Sequence, residues 1–280
     1  MSKLFHNRGP ISFRRTFVAF LMSIAFVLPF FFLIATALRT PEDFAINPGG
    51  LPSAFTLQNL ADAWEEANLG RALMATLFVA VIACIVCVSV SLAAAFWFRV
   101  NGSRFAGLCR TLLISGYAIP AIAWLITVFV IVARGGLAGN LVVAGVLNGV
   151  SSVPFAIYFF HTYFLQVLRK DLLDAAALDG AGVLQTFRYI AVPLARPAIA
   201  SVIALVFVWS FGDLLIAVTI LSSNPDNYTL PLAATTLATK ESVNLQGQAA
   251  AALVALVPVL FVFALAQKSL ASGFGAVSDK

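Results

Sequence analysis

Few side chains in this sequence combine the residue types and the spacing that chemistry requires. Asp213 is an acid inside a long apolar stretch, and Trp209 lies four residues before it. Four residues is about one helical turn, so a carboxylate and an indole ring would share one helix face. The carboxylate could accept hydrogen bonds from solute hydroxyl groups beside that aromatic face. A structural hydrogen bond to a neighbouring helix or a partner chain is the alternative, and the sequence does not decide between them.

Other reactive groups form no catalytic or metal-binding pattern. Cys84 and Cys87 form a C-x-x-C inside an apolar run, where two small thiols would pack on one helix face. His6 and His161 are far apart in sequence, and one imidazole makes neither a metal site nor a triad. The sequence contains no G-x-x-x-x-G-K-[ST] for ATP phosphates. We therefore expect no catalytic residue, metal or cofactor in this chain, which disfavours a membrane-embedded enzyme.

The elements that must position Asp213 and Trp209 are membrane-spanning helices. Of the 280 residues, 61% are apolar and 10% are charged, whereas a soluble domain has about 45–50% and about 25%. The mean hydropathy is +0.98. Backbone groups inside a bilayer must be hydrogen-bonded within the chain, which favours helices. The sequence predicts an all-α, polytopic membrane protein, and its net charge of +5 then reflects loop placement rather than a nucleic-acid surface.

Six stretches are long and apolar enough to cross a hydrocarbon core that takes about 20 residues per helix. We predict helices at about 16–38, 72–98, 111–133, 141–164, 197–221 and 245–267, in a single transmembrane domain that covers residues 1–280. Thirteen of the 17 basic residues lie on one predicted side of the membrane, which places both termini in the cytoplasm. The other four are Arg39, Arg71, Arg134 and Lys240.

The cytoplasmic loop between the fourth and fifth spans, residues 169–196, is long enough to fold. Asp171 and Asp174 suit the start of a short helix, and Gly180 allows the positive φ that ends one. A second short helix would follow, with an apolar face that contains Val183, Leu184, Phe187 and Ile190. The run Ala175–Ala177 either simply favours a helix or lets a partner's groove approach the helix backbone.

This loop resembles the EAA loop of the membrane subunits of binding-protein-dependent ABC importers. The matching positions are Asp174, Ala175, Ala176, Gly180, Ile190, Val192 and Pro193. Asp174 stands where Glu is usual, and Val192 where Leu is usual. The triplet Asp179, Gly180 and Ala181 is similar to the carbohydrate branch of that family, the maltose-type second permease. Segments similar to the family occur in the same order at 38–43, 55–60 and 153–158.

The resemblance implies a permease subunit in the plasma membrane of a prokaryote that forms half of a pathway for a sugar or sugar derivative. Its implied partners are a second homologous permease, two ATPase subunits, an extracytoplasmic solute-binding protein and the lipid bilayer, with no nucleic acid. The implied ATPase-coupling residues are Asp174, Ala175, Ala176, Asp179, Gly180, Ile190 and Pro193, with Ala175, Ala176 and Gly180 at the tight contact. The family commonly has a Trp-Asn-Glu set near the position of Asp213, so no solute-binding role carries over to this residue.

Two other functions remain open from the sequence. The same kind of permease could import another solute, such as a polyol phosphate or a peptide. A stand-alone channel or secondary transporter would work without an ATPase and would usually show an internal repeat.

The seven acids predicted outside are either a solvated surface or a docking surface for a binding protein. These acids are Glu42, Asp43, Asp62, Glu65, Glu66, Asp226 and Glu241.

Overall fold

A computed structural model describes the backbone of residues 13–238 and 244–278 and the side chains of 16–120, 122–238 and 244–269. Several charged residues used in the orientation and surface arguments lie outside the described side chains: Lys3, Arg8, Arg14, Arg15, Lys240, Glu241 and Lys280. The described backbone forms helices α1 (Phe13–Ala37), α2 (Pro41–Ile46), α3 (Gln58–Glu66), α4 (Leu69–Val100), α5 (Arg104–Ser115), α6 (Ala121–Arg134), α7 (Leu141–Val167), α8 (Lys170–Leu178), α9 (Val183–Thr186), α10 (Val192–Leu194), α11 (Arg196–Phe211), α12 (Leu215–Leu221), α13 (Leu230–Thr236) and α14 (Leu245–Ser278).

Four of these helices are long and apolar enough to cross a membrane: α1, α4, α7 and α14. Two further pairs of helical segments reach this length only when each pair is counted as one span. Arg104–Ala118 and Ile122–Arg134 are bent by 97°, and Val183–Leu194 and Arg196–Phe211 by 72°. The described residues thus contain four candidate spans, or up to six with the bent pairs, against the six predicted.

The third predicted span, 111–133, is not one continuous helix. α5 ends at Ser115, a 3₁₀ turn covers Gly116–Ala118, and α6 begins at Ala121. Pro120 explains the break, because proline lacks a backbone N–H and disfavours the helical conformation in the residue before it. Ile119 is accordingly extended, with φ −83° and ψ 117°. Apolar composition alone does not reveal this break.

The described residues group into two compact units. The larger covers 67–236 and the part of α14 that follows residue 253. In it, α4 and α7 pack with their backbones close together at two glycines. A Cβ on Gly145 would lie 2.7 Å from the Cβ of Ile82, and one on Gly149 would lie 2.8 Å from the carbonyl oxygen of Ala83. Only glycine allows this approach, a common device between membrane helices.

The smaller unit contains the described residues up to 66 together with those of 237–253. Its loop is organised around Arg39, which is 2% exposed. The Arg39 guanidinium pairs with Asp43 at 3.0 Å and donates to the carbonyls of Asn47 and Gly50. The hydroxyl and the backbone N–H of Ser53 donate to Asp43. These hydrogen bonds, with a smaller effect of Arg39, hold the pKa of the Asp43 carboxyl below its ordinary value.

Candidate functional site

Asp213 lies at a break in the fifth predicted span. α11 ends at Phe211 and α12 begins at Leu215, so the predicted helix 197–221 is two helices. The Asp213 Oδ1 accepts the backbone N–H of Ile216 at 2.9 Å and that of Ala217 at 3.4 Å. An acidic side chain in this position satisfies free N–H groups and complements the helix dipole. Asp213 therefore caps the helix that follows it, a local contact that differs from the hydrogen bond to a neighbouring helix or a partner chain considered from the sequence.

The same carboxylate also lines a cavity of about 750 Å³ in the larger unit. Asn148 of α7 lines the cavity too and interacts with the Asp213 side chain. Three aromatic residues, two serines and several apolar residues complete the wall. The lining residues are Gly116, Tyr117, Ile119, Pro120, Trp124, Val128, Leu147, Asn148, Val150, Ser151, Ser152, Pro154, Trp209 and Asp213.

Trp209 brings an aromatic surface to this cavity. Its side chain is 42% exposed, and its ring meets that of Phe155 edge-on, with 5.0 Å between centroids. This contact limits the orientations of the indole while leaving surface free. Aromatic rings with a few convergent polar groups are typical of small-molecule sites of about 300–1,000 Å³. The cavity has the groups to hold a polyhydroxylated solute: ring faces for its C–H surfaces, and carboxylate, amide and hydroxyl groups for its O–H groups.

The structure therefore brings Asp213 and Trp209 to one cavity, as their spacing suggested, although no regular helix joins them. Sequence reasoning missed Asn148, Tyr117 and Trp124. Asn148 had a usable signal, because a polar amide inside a membrane helix usually has a functional or structural partner. The two aromatic residues had none, since aromatic residues are common in apolar runs of this chain.

The first half of the loop 169–196 is α8 followed by a left-handed turn. Gly180 has φ +79°, its N–H donates to Ala177 O at 3.0 Å, and the N–H of Ala181 donates to Ala176 O at 2.9 Å. These two bonds are the Schellman arrangement that ends a helix. A Cβ on Gly180 would meet nothing within 4 Å. Glycine is required here by backbone conformation and not by contacts within the chain.

The predicted coupling residues differ in how accessible they are. Asp174, Ala175, Asp179 and Gly180 are exposed. Ala176 is only 6% exposed, so its methyl group packs within this chain and is not free to meet a partner. The predicted tight contact can therefore involve Ala175 and Gly180, but not the side chain of Ala176.

The second half of the loop is less regular than predicted. α9 is one short turn, Phe187–Ala191 forms a π-helical turn, and α10 leads into α11. Ile190 and Pro193 are partly buried. The predicted apolar face is divided, because Val183 and Leu184 are 68% and 76% exposed whereas Phe187 packs on Phe96 with 5.1 Å between ring centroids. Together with Leu178, at 90%, and Tyr189, at 69%, Val183 and Leu184 make this segment a protruding apolar surface.

The remaining candidate groups have structural contacts. Arg110 Nη1 lies 2.9 Å from His161 Nε2. Since a guanidinium only donates, that nitrogen accepts the hydrogen bond. Cys84 and Cys87 are buried, and Cys84 Sγ donates to Ile203 O at 3.6 Å. Among the described residues, no three His, Cys, Asp or Glu side chains are grouped to hold a metal ion.

One acid of the predicted outer surface, Asp226, is paired with Arg71 at 2.6 Å, and Asp43 is held by Arg39 and Ser53 as described above. Asp62 accepts a hydrogen bond from Gln58 at 2.7 Å. These acids support local structure, and Glu241 lies outside the described residues.

Comparison with known proteins points to one family. The model of the family described as "Binding-protein-dependent transport system inner membrane component" matches residues 87–275, more than half of the chain. The melibiose/raffinose/stachyose import permease protein MelC of Bacillus subtilis is 26% identical over 95% of both chains. The osmoprotective compounds uptake permease protein GgtD of Synechocystis is 31% identical over 81% of this chain and 76% of its own. The diacetylchitobiose uptake permease NgcG of Streptomyces coelicolor is 26% identical over 92% of this chain and 85% of its own.

Solved structures agree at the level of the fold. A chain of a bacterial ABC transporter involved in the import of the acidic polysaccharide alginate has a TM-score of 0.74 at 17% identity. The match covers 90% of this chain and 94% of the other. A second structure, of the alginate transporter in complex with an alginate pentasaccharide-bound periplasmic protein, has a TM-score of 0.63 at 15% identity.

Proposed function

The chain belongs to the family of inner membrane components of binding-protein-dependent transport systems, and from this premise we propose that it is a permease subunit of an ATP-driven importer of a sugar or sugar derivative. The family assigned by resemblance from the loop is thereby confirmed. Among its relatives are proteins named for melibiose, raffinose and stachyose import and for diacetylchitobiose uptake. The observation that carries the choice of solute is the cavity wall, which combines Tyr117, Trp124 and Trp209 with Asn148 and Asp213.

In this proposal, the cavity is part of the translocation pathway. An oligosaccharide presents both apolar ring faces and hydroxyl groups, which aromatic rings and polar side chains can meet in turn. Trp209 would stack on a sugar ring, while Asp213 and Asn148 would accept and donate hydrogen bonds. Because the Asp213 carboxylate already caps α12 through Oδ1 and interacts with Asn148, a solute hydroxyl would add to contacts that this side chain already makes.

The segment 169–196 would couple this pathway to an ATPase. A chain that cannot hydrolyse ATP can be driven only by contacts that differ between two states of its partner. The exposed apolar residues Leu178, Val183 and Leu184 offer surface that would be covered by such a partner, since exposed apolar patches commonly mark interfaces. Asp174, Ala175, Asp179 and Gly180 would form the polar and close-packed parts of the same contact.

The complete importer would contain this chain, a second homologous permease, two ATPase subunits and an extracytoplasmic solute-binding protein. Both termini would be cytoplasmic, which puts residues 169–196 on the side of the ATPase. α1 exposes apolar side chains along its length, including Phe17, Phe20 and Phe26 at 51%, 61% and 72%. Lipid or the second permease would cover them. ATP binding and any catalysis would belong to the ATPase and not to this chain.

The test is to purify the tagged chain from its native membrane in mild detergent and identify the proteins that accompany it. We expect a second permease, an ATPase with a Walker motif and a solute-binding protein, whose bound solute is then identified by mass spectrometry. A sugar in the binding protein supports the proposal. An osmoprotectant, as named for GgtD, a polyol phosphate or a peptide would keep the importer and change the solute. A folded chain that is repeatedly recovered alone would favour a channel or secondary transporter.

A further inference from the structure

The end of α7, which leads directly into the loop 169–196, is held by the guanidinium of Arg99, in the last turn of α4. Its Nε donates to the carbonyl oxygen of Phe164 at 3.4 Å, and its Nη2 donates to that of Leu168. Leu168 is the C-cap of α7 and is followed directly by Arg169, the N-cap of α8. The last carbonyls of a helix lack partners within the helix. The Phe164 carbonyl already accepts the N–H of Leu168 at 3.0 Å, so Arg99 adds a second hydrogen bond there and supplies the donor to the Leu168 carbonyl. Its charge also complements the helix dipole.

The other end of the loop is held by Tyr163, one residue before Phe164 on α7. Its hydroxyl donates to the carbonyl oxygen of Leu194 at 3.2 Å, and the Tyr163 side chain is 6% exposed. Leu194 ends α10, two residues before α11 begins at Arg196. Neighbouring residues of α7 therefore mark both ends of the loop: Phe164 accepts from Arg99 near its start, and Tyr163 donates at its end.

Between these ends, the loop has a third contact with the bundle and an open space beside it. The ring of Phe187 packs on Phe96 of α4, and Phe96 in turn meets Phe164 edge-on, with 6.3 Å between centroids. A groove of about 390 Å³ is lined by Arg99 and other residues at the end of α4 and by Asp174 and Ala177 of α8. The helix pair is thus fixed at separate points and is not packed along its whole length.

We propose that Arg99 and Tyr163 are positioning residues that pin the two ends of the loop, so that a displacement of the loop by the ATPase moves α4 and α7 with it. This inference rests on the proposed function, because it requires the loop to contact an ATPase. A loop held only at its covalent ends could yield when pushed. The helices α4 and α7 pack tightly against each other at Gly145 and Gly149. Hydrogen bonds to these helices would make the loop and the two helices move together.

The test uses the purified complex of the full chain with its permease and ATPase partners in proteoliposomes. The readout is the ratio of ATP hydrolysis with and without the solute-binding protein, used as it co-purifies with its solute. Arg99→Lys keeps the charge but loses the planar fork that reaches both carbonyls, and Tyr163→Phe loses one hydroxyl. We expect each variant to assemble with normal subunit ratios and normal basal hydrolysis. The stimulation ratio should fall about fivefold or more, the lower range of measured couplings between sites.

Arg104→Lys is the matched control for the arginine substitution. Arg104 lies five residues after Arg99, is exposed, and lies on the same predicted side of the membrane, so the same chemical change there should leave the ratio unchanged. Gly180→Val tests the loop contact independently. If wild type shows no ATPase or no stimulation, the proposed function itself fails. If Gly180→Val abolishes stimulation while Arg99→Lys and Tyr163→Phe preserve it, only the pinning is overturned.

Variants that fail to assemble also decide the matter. If only Arg99→Lys is not recovered as a complex, the stimulation ratio of Tyr163→Phe becomes the test. An unchanged ratio in Tyr163→Phe then overturns the proposal. If neither variant assembles while Arg104→Lys does, the proposal is overturned too. Residues that only keep the subunit folded would give that result, with no change specific to coupling.

Discussion

The carboxylate of Asp213 accepts the backbone N–H of Ile216 at 2.9 Å while facing the cavity that Asn148 also lines. One side chain thus connects the start of α12 to the wall of the candidate pathway. The relationship gives a physical reason for an acid at this position. A helix that begins inside the apolar part of a membrane protein has N–H groups without water, and an acidic cap satisfies them.

Replacing Asp213 separates its structural role from its proposed role in transport. Asp213→Ala removes the cap and should lower stability by about 1 kcal/mol, the usual cost of a lost N-cap. Asp213→Asn keeps an oxygen for Ile216 but removes the charge. It should retain stability, yet weaken the apparent affinity for the solute about tenfold, as expected when a hydrogen bond to a charged group becomes neutral.

Thermal unfolding in detergent and the solute concentration dependence of uptake measure these two effects. Unchanged affinity in Asp213→Asn, together with lower stability in Asp213→Ala, would restrict Asp213 to its structural role.

Trp209 should contribute to solute affinity through its ring. Trp209→Ala removes an aromatic face whose orientation is set by Phe155. We expect the half-saturating solute concentration to rise about tenfold, since aromatic pairs contribute about 0.5–1.5 kcal/mol beyond area burial. Trp209→Phe should retain part of the affinity because it keeps a smaller ring. Uptake assays over a range of solute concentrations measure this.

Trp64→Ala is the matched control for this substitution. Trp64 is 47% exposed and is not among the residues that line the cavity. A similar loss of affinity in Trp64→Ala would show that the Trp209 effect is not specific to the cavity.

Gly180 should be replaceable only by a residue that tolerates its backbone conformation. Its φ of +79° lies in the left-handed region, where a residue with a Cβ pays about 1–2 kcal/mol. Gly180→Val should leave the subunit inserted but uncouple ATP hydrolysis from uptake. Gly180→Asn should keep the turn, because asparagine visits this region more readily. Normal uptake per ATP in Gly180→Val would contradict the coupling role of the loop.

The close packing of α4 on α7 predicts a difference between two glycine substitutions. Gly149→Ala places a Cβ 2.8 Å from Ala83 O and should destabilise the subunit by about 1–3 kcal/mol, as overpacking does. Gly107→Ala in α5 meets nothing within 4 Å and should be neutral or stabilise by about 0.5–1 kcal/mol. The two melting temperatures in detergent test this directly. Equal effects of the two substitutions would refute the tight contact.

The sequence predicted those parts of the candidate site that lie close together along the chain, and it missed the parts that come from distant segments. The Gly180 turn was predictable, because positive φ, helix ending and residue type are all local properties. Asp213 and Trp209 were predictable as a pair, because four residues rarely separate side chains widely. Asn148 joins them from a different helix, and no pattern along the chain encodes that distance.

By itself, the sequence determined the class of protein, the family and the glycine turn of the loop. The composition and the long uncharged runs indicate membrane spans, in which helices satisfy the hydrogen bonds of the backbone. The loop carries its family pattern within some 20 residues.

Tertiary structure alone decided that the fifth predicted span divides beside Asp213, which loop residues are exposed, and what surrounds Asp213. Ala176 turns inward while Ala175 stays exposed, although the two are adjacent and chemically identical. Arg99 reaches carbonyls more than 60 residues away. Such contacts depend on how helices pack against one another, and hydrophobic patterning fixes that packing only in outline because many arrangements bury the same apolar faces.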